Sequence, residues 1–149
     1  MRTCGRTACI AVMLVSLVGM AAAADIRLLS VDAVQNAVRS LAADFAKDTG
    51  HQVIFTIDSP ADVTQKIKDG EIFDAVIVSE PAMDVLDRDG IVNPESRVRL
   101  AKVGVTTYEG GLMTDGAVPQ AARAFIRFLA GPEARATWLA ARLEPLSDQ

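Results

Sequence analysis

Three short apolar runs, each followed by a stretch of helical periodicity, decide what this chain can become. Ile26-Arg27-Leu28-Leu29, Val53-Ile54-Phe55-Thr56-Ile57 and Asp74-Ala75-Val76-Ile77-Val78 are too short for helices and rich in β-branched residues, the pattern of strands. After the first run, Val34, Ala37, Val38, Leu41, Ala42 and Phe45 recur at spacings of three and four, which puts them on one face of a helix. Asp32 with Gln35 predicts a capping pair at its start, and Gly50 its end. Ser59-Pro60-Ala61-Asp62 restarts a helix after the second run, with Ser59 as N-cap and Pro60 in the first turn, where its missing N–H costs nothing. That helix runs to Gly70, and a third spans residues 81–89 and stops at Gly90. The order βαβαβα predicts an α/β fold, a mostly parallel sheet of buried strands with helices on both faces and right-handed crossovers.

The second half is less regular. Residues 101–105 and 106–113 form a further extended stretch interrupted by Gly104 and Gly110-Gly111, and the pattern does not assign its partner strands. Residues 119–130 carry the helical stripe Ala122, Phe125, Ile126 and Leu129. Gly131-Pro132 ends that helix and starts another bearing Trp138, read as core or a partly covered contact, and Leu139. There is no internal repeat, low-complexity tract or charged linker, so one domain is expected from residue 25 to residue 149.

The first 24 residues read as a leader. Arg2 and Arg6 form a basic start, residues 10–18 an apolar core, and Ala21-Ala22-Ala23-Ala24 the small residues a signal peptidase accepts, with cleavage expected after Ala24. The apolar run is short of the roughly 20 residues that span a bilayer, so a cleaved signal peptide and a periplasmic product are expected. Cys4 and Cys9 both lie in the leader, which leaves a mature domain of about 125 residues held by its core without disulfides. The chain has 15 basic and 19 acidic residues, a formal net charge of −4 that falls to −6 when Arg2 and Arg6 leave. Nucleic acid is excluded as a partner, because its phosphates would be repelled and basic clusters are missing.

Several segments together resemble a known family. Ile26-Arg27-Leu28-Leu29-Ser30, Leu41-Ala42-Ala43-Asp44-Phe45, Thr49-Gly50-His51-Gln52-Val53 and residues 70–77 are similar to the first lobe of molybdate-type periplasmic binding proteins of the type II class. Residues 119–129, Pro132-Glu133-Ala134-Arg135 and Leu143-Glu144-Pro145 are similar to that family's C-terminal region. The resemblance implies two α/β lobes joined by crossover strands with the ligand between them. Here the outgoing strand near residues 102–105 runs straight into the returning strand at Thr106, so the second lobe is expected to be missing, with the join near 105–106. What remains is a single lobe of a type II periplasmic binding protein. Tyr108, in the returning strand, is either a former cleft residue or a contact for the C-terminal helices.

In an open parallel sheet, ligands gather at the carboxyl ends of the strands, where helix starts present backbone N–H groups and partial positive charge. Two such starts are expected here, and they supply the candidate ligand-binding residues Ser30, Asp32 and Ala33 at the first and Asp58, Ser59 and Ala61 at the second. The family places a serine or small residue at each turn. Aligned on Asn36-Ala37, the first serine position falls on Ala33, leaving Ser30 as the substitute, and Ser59 stands near the second. Asp32, Asp58 and Asp62 oppose a free oxyanion, since like charges several Å apart cost about a kcal/mol or more near a protein surface. Asp32, Ser59 and Asp62 also read as plain helix caps, and both readings stand at this point.

The function expected is binding of a small oxyanion such as molybdate, or a related small solute, by an exported component of an ABC-type uptake system working with a permease. A lone lobe cannot enclose a ligand, so weak affinity is expected unless a homodimer supplies a second wall. The alternative is an exported protein-interaction or regulatory module, or a degenerate remnant, with no small-molecule ligand. An enzyme is not expected. His51, the only histidine, follows a helix-ending glycine and reads as a solvated turn residue, and no Gly-x-Ser-x-Gly elbow is present. No catalytic residue, metal ligand set or cofactor is therefore assigned, and only carboxylate chemistry stays open among enzyme classes.

Overall fold

The structure, a computed structural model, describes residues 22–146, so all but the last three residues of the expected leader lie outside it. The elements follow in the order β1 (Asp25–Val31), α1 (Gln35–Thr49), β2 (Gln52–Asp58), α2 (Pro60–Lys68), β3 (Ala75–Ser79), α3 (Glu80–Arg88), β4 (Val98–Val103), β5 (Thr106–Leu112), α4 (Pro119–Ala130), α5 (Arg135–Ala140) and β6 (Glu144–Pro145). Six strands make one sheet in the order β2-β1-β3-β5-β4-β6. The βα units of the first half form its parallel part, β1 lying between β2 and β3. Beyond β3 the chain turns back on itself, and β5, β4 and β6 add antiparallel.

The chain steps one way from β1 to β2 and back across β1 to reach β3, so two right-handed crossovers place α1 and α2 on opposite faces. α4 and α5 pack beside α1. There the Phe45 ring lies 5.2 Å from Phe125 and 5.5 Å from Phe128, and the buried Trp138 donates its indole N–H to the Leu129 carbonyl at 2.8 Å. α3 packs on β3 and β5 from the other side. Residues 75–78 of β3, covered on both faces and flanked on both sides, are completely buried.

The glycine pair in β5 explains how both helix layers come so close. A Cβ on Gly110 would lie 2.9 Å from the Ile126 Cδ1 of α4, and one on Gly111 would lie 2.7 Å from Val92 Cγ1 and 3.4 Å from the Met83 sulfur of α3. Successive residues point to opposite faces, so the two glycines clear space for one layer each. β4 and β5 are joined by the two residues Gly104 and Val105, with Gly104 at φ 55°, the tight hairpin turn whose first position favours glycine.

Three details differ from the sequence reading. The run at residues 53–57 was expected to be buried but is the edge strand, with Ile54 half-exposed. An apolar run of five cannot by itself tell a central strand from an edge, and here the guanidinium of Arg39, 4.8 Å over the Phe55 ring, covers part of that strand's apolar surface. The Asp32–Gln35 capping pair does not form, because residues 32–34 make a 3₁₀ turn and α1 starts only at Gln35. His51 is not merely solvated, since its Nδ1 accepts the Ala24 N–H at 2.9 Å and its ring stacks on Phe45.

Candidate functional site

The register of the sheet sets the ends of the parallel strands level. Val31 pairs with Asp58, so the turns that leave β1 and β2 start side by side, and the pairing of Ser30 with Ile77 brings the end of β3 to the same rim. Tyr108 pairs with Ser79, so β5 begins at this rim, and the β4–β5 turn projects from it with Val105 fully exposed. Tyr108 is half-buried between Ser79 and Ala101.

Each turn has a different character. At the first, Ser30 is completely buried within β1, and its hydroxyl donates to the Val31 carbonyl at 3.2 Å. Asp32 and Ala33 follow it into solvent in the 3₁₀ turn. At the second, Ser59 is a formed N-cap. Its Oγ accepts the Asp62 N–H at 3.3 Å and donates to the Asp62 carboxylate at 2.7 Å, with Pro60 next in sequence and Ala61 exposed. The third turn was not singled out in the sequence. Ser79 is the N-cap residue of α3, and its side chain makes no capping hydrogen bond. The structure thus brings Asp32, Ala33, Asp58, Ser59 and Ala61 to one rim, with Ser30 just beneath it.

First-turn amides of a helix have no intrahelical partner, which gives such a rim a pull on anions. Its side chains pull the other way. Asp32, Asp58, Asp62 and Glu80 stand at the helix starts, and the cations near them are already engaged: Lys66 lies 3.8 Å from Asp58 and 3.5 Å from Glu71, and Arg99 lies 3.2 Å from Glu80 and 3.7 Å from Glu109. Behind α3, Arg97 reaches Glu109 at 2.7 Å, Asp84 at 2.7 Å and Asp87 at 2.9 Å. Hydrogen bonding to Glu109 and then to Asp84 raises the guanidinium pKa above its ordinary value, so this cation is spent on internal carboxylates.

The opposite end of the sheet holds a buried polar centre that the sequence did not announce. Asp74 accepts the Arg27 N–H at 2.8 Å through Oδ2, and the Ala117 and Val118 N–H groups at 2.6 and 3.0 Å through Oδ1. It ties β1 to the segment before α4. Among the described residues, no group of three or more His, Cys, Asp and Glu is placed to hold a metal ion, and no helix is long and apolar enough to cross a membrane.

Among solved structures, the chain is similar to the substrate-binding domain assigned to a molybdenum ABC transporter of Clostridium difficile, with 10% identity, a TM-score of 0.76, and coverage of 84% of this chain and 100% of that chain. The periplasmic molybdate-binding protein of Azotobacter vinelandii follows with 14% identity, a TM-score of 0.73, and 83% and 100% coverage. The sulfate-binding protein SubI from Mycobacterium tuberculosis H37Rv has 12% identity, a TM-score of 0.70, and 83% and 87% coverage. At these identities the likeness is one of fold, that of periplasmic binding proteins, of which this chain forms a single lobe. No curated protein matches it in sequence. The model of the family described as bacterial extracellular solute-binding protein matches residues 26–106, from β1 to the first residue of β5 and more than half of the chain. The chain therefore belongs to the bacterial extracellular solute-binding protein family.

Proposed function

We propose that this chain is an exported solute-binding component of an ABC-type uptake system, and that its rim receives a small oxyanion such as molybdate or sulfate. The observation that carries this reading is the Val31–Asp58 pairing, which sets two helix-starting turns side by side at the carboxyl ends of parallel strands. Neighbours of the same fold are named for molybdenum, molybdate and sulfate. Backbone amides of residues 32, 33 and 61 are the proposed donors, with the Ser59 hydroxyl beside them. Asp58 and Asp62 weaken the site, and the rim has no opposing wall, so affinity is expected to be low. The leader at residues 1–24 would deliver the protein to the periplasm, where a permease would be its partner.

Isothermal titration of the exported domain with molybdate, tungstate and sulfate tests this proposal. Saturable heat for one of them is expected, and no heat at millimolar anion would retire the oxyanion role. A second reading is favoured by the hairpin tip, where Val103 is 46% exposed and Val105 fully so. In it the uncovered rim seats a protein, in the simplest case a second copy that provides the missing wall. Light scattering across a concentration series, with and without molybdate, separates the two. A mass that rises with concentration and ignores the anion favours the protein partner.

A further inference from the structure

The two borders of the sheet are unlike. β6, at one of them, spans two residues, whereas β2, at the other, runs for seven residues in unbroken register with β1. Exposed edges are ordinarily protected by proline, lysine, a bulge or a covering segment, and Gln52–Asp58 contains no proline, lysine, arginine or bulge. Its free backbone groups can be assigned. The Gln52 N–H donates to the carbonyl of Ala24, just before β1, at 2.9 Å, and the N–H and C=O of one strand residue face the same way, so residues 52, 54, 56 and 58 are turned to β1. Val53, Phe55 and Ile57 therefore present theirs to the open border, where no other hydrogen bond among the described residues reaches them. The strand also reads alike from either end: a polar residue, two β-branched residues, Phe55 at the centre, two β-branched residues and a polar residue. Arg39 of α1 lies over Phe55 and Lys66 of α2 lies 3.8 Å from Asp58, so odd-numbered side chains are on the α1 face and even-numbered ones on the α2 face.

We infer that β2 pairs antiparallel with the β2 of a second copy of this chain, about a two-fold axis at Phe55, so that the two sheets become one. Phe55 then lies opposite its own counterpart, and Val53 opposite Ile57. These are the residues whose backbone groups are free, and each such pair exchanges two hydrogen bonds in an antiparallel ladder, so this register satisfies every free group of both strands. A register displaced by two residues would leave the ends unpaired. On the α2 face Ile54 comes opposite Thr56, and Gln52 opposite Asp58, where its amide donates to the carboxylate. The two Ile54 side chains, each 50% exposed in the single copy, become diagonal neighbours about 7–8 Å apart and cover one another. The two rims lie at opposite ends of the joined sheet and both stay open, so this pairing is independent of what the rim binds.

The full chain is expressed in a bacterium, purified and followed by light scattering across a concentration series. The mass is expected to rise to that of a dimer. Ile54→Lys sets two like charges on the diagonal positions and is expected to weaken the dimer by roughly tenfold or more, while the Tm of the dilute protein stays unchanged. Disulfide trapping then locates the contact. Ile54→Cys and Thr56→Cys variants, mixed and oxidised, are expected to yield a linked dimer whose 54–56 peptide is identified by mass, with far less linkage from Ile54→Cys alone. A monomer at every concentration overturns the inference. So does a dimer that keeps its affinity in Ile54→Lys or gives no 54–56 link, as a copy seated on the rim would.

Discussion

Asp74 and Glu109 are both buried carboxylates, and they are stabilised in different ways. Asp74 is held by three backbone N–H donors, so its removal strands amides on two separate segments. Asp74→Ala is expected to cost about 3–4 kcal/mol in urea unfolding, while Asp74→Asn, which keeps one acceptor oxygen, should cost about half as much. Gly116 belongs to the same centre, since a Cβ there would lie 3.0 Å from the Asp74 Cα. Glu109 depends instead on Arg97, and Arg97→Ala leaves that carboxylate buried without its main partner. A loss of about 2–4 kcal/mol is expected, reduced from the figure for a fully buried pair because the arginine side chain is 21% exposed. Neither role was legible in the sequence. A strand-start aspartate and an arginine among acidic residues look ordinary until the fold brings residues 27, 74 and 117, or 84, 97 and 109, together. Ser59 was legible, because an N-cap is local chemistry, and Ser59→Ala is expected to cost about 1 kcal/mol by the same measurement.

At the level of elements, the three βα units and α4 follow the boundaries that periodicity and capping residues implied, within a residue or two. The signals that set them, apolar spacing and Gly or Pro punctuation, act over a few residues. What escaped was pairing over distance. β5 enters between β3 and β4, and nothing within residues 106–112 names those partners. The Gly110-Gly111 pair was visible as an interruption, and its meaning came only with the two helix layers. These glycines give a graded expectation. At Gly110 an added methyl meets the flexible end of Ile126, which can turn aside, whereas at Gly111 it meets the stiff β-branched Val92. Gly111→Ala should therefore destabilise by about 1–3 kcal/mol and Gly110→Ala by less, with thermal unfolding of the two variants as the comparison. The edge position of β2 was equally hidden, for an apolar run of five looks the same at the border of a sheet and at its centre.

For the whole molecule, the candidate site was legible as two helix starts, and their adjacency was a consequence of fold class. The third start at Ser79, and the burial of Ser30, depended on register and were not. The balance of charge at the rim leads to an expectation for binding. Asp62→Asn keeps an oxygen for the Ser59 hydroxyl and removes a negative charge, so it should raise molybdate affinity several-fold in titration; an unchanged affinity would place the anion away from this rim. Stability is also distributed over the entire chain. Without α4 and α5, Phe45 of α1 loses Phe125 and Phe128, β5 loses Ile126 over Gly110, and the core loses the buried Leu129 and Trp138, so a chain ending at residue 118 is expected to show no cooperative unfolding transition by circular dichroism.

That wiring has a consequence for synthesis. The first helix waits for a cover supplied by the last two, and the third strand for a neighbour made some thirty residues later. A chain so arranged stays open while it is being made and closes only when its tail is complete, so the lateness of its final helices would also suit the export proposed above.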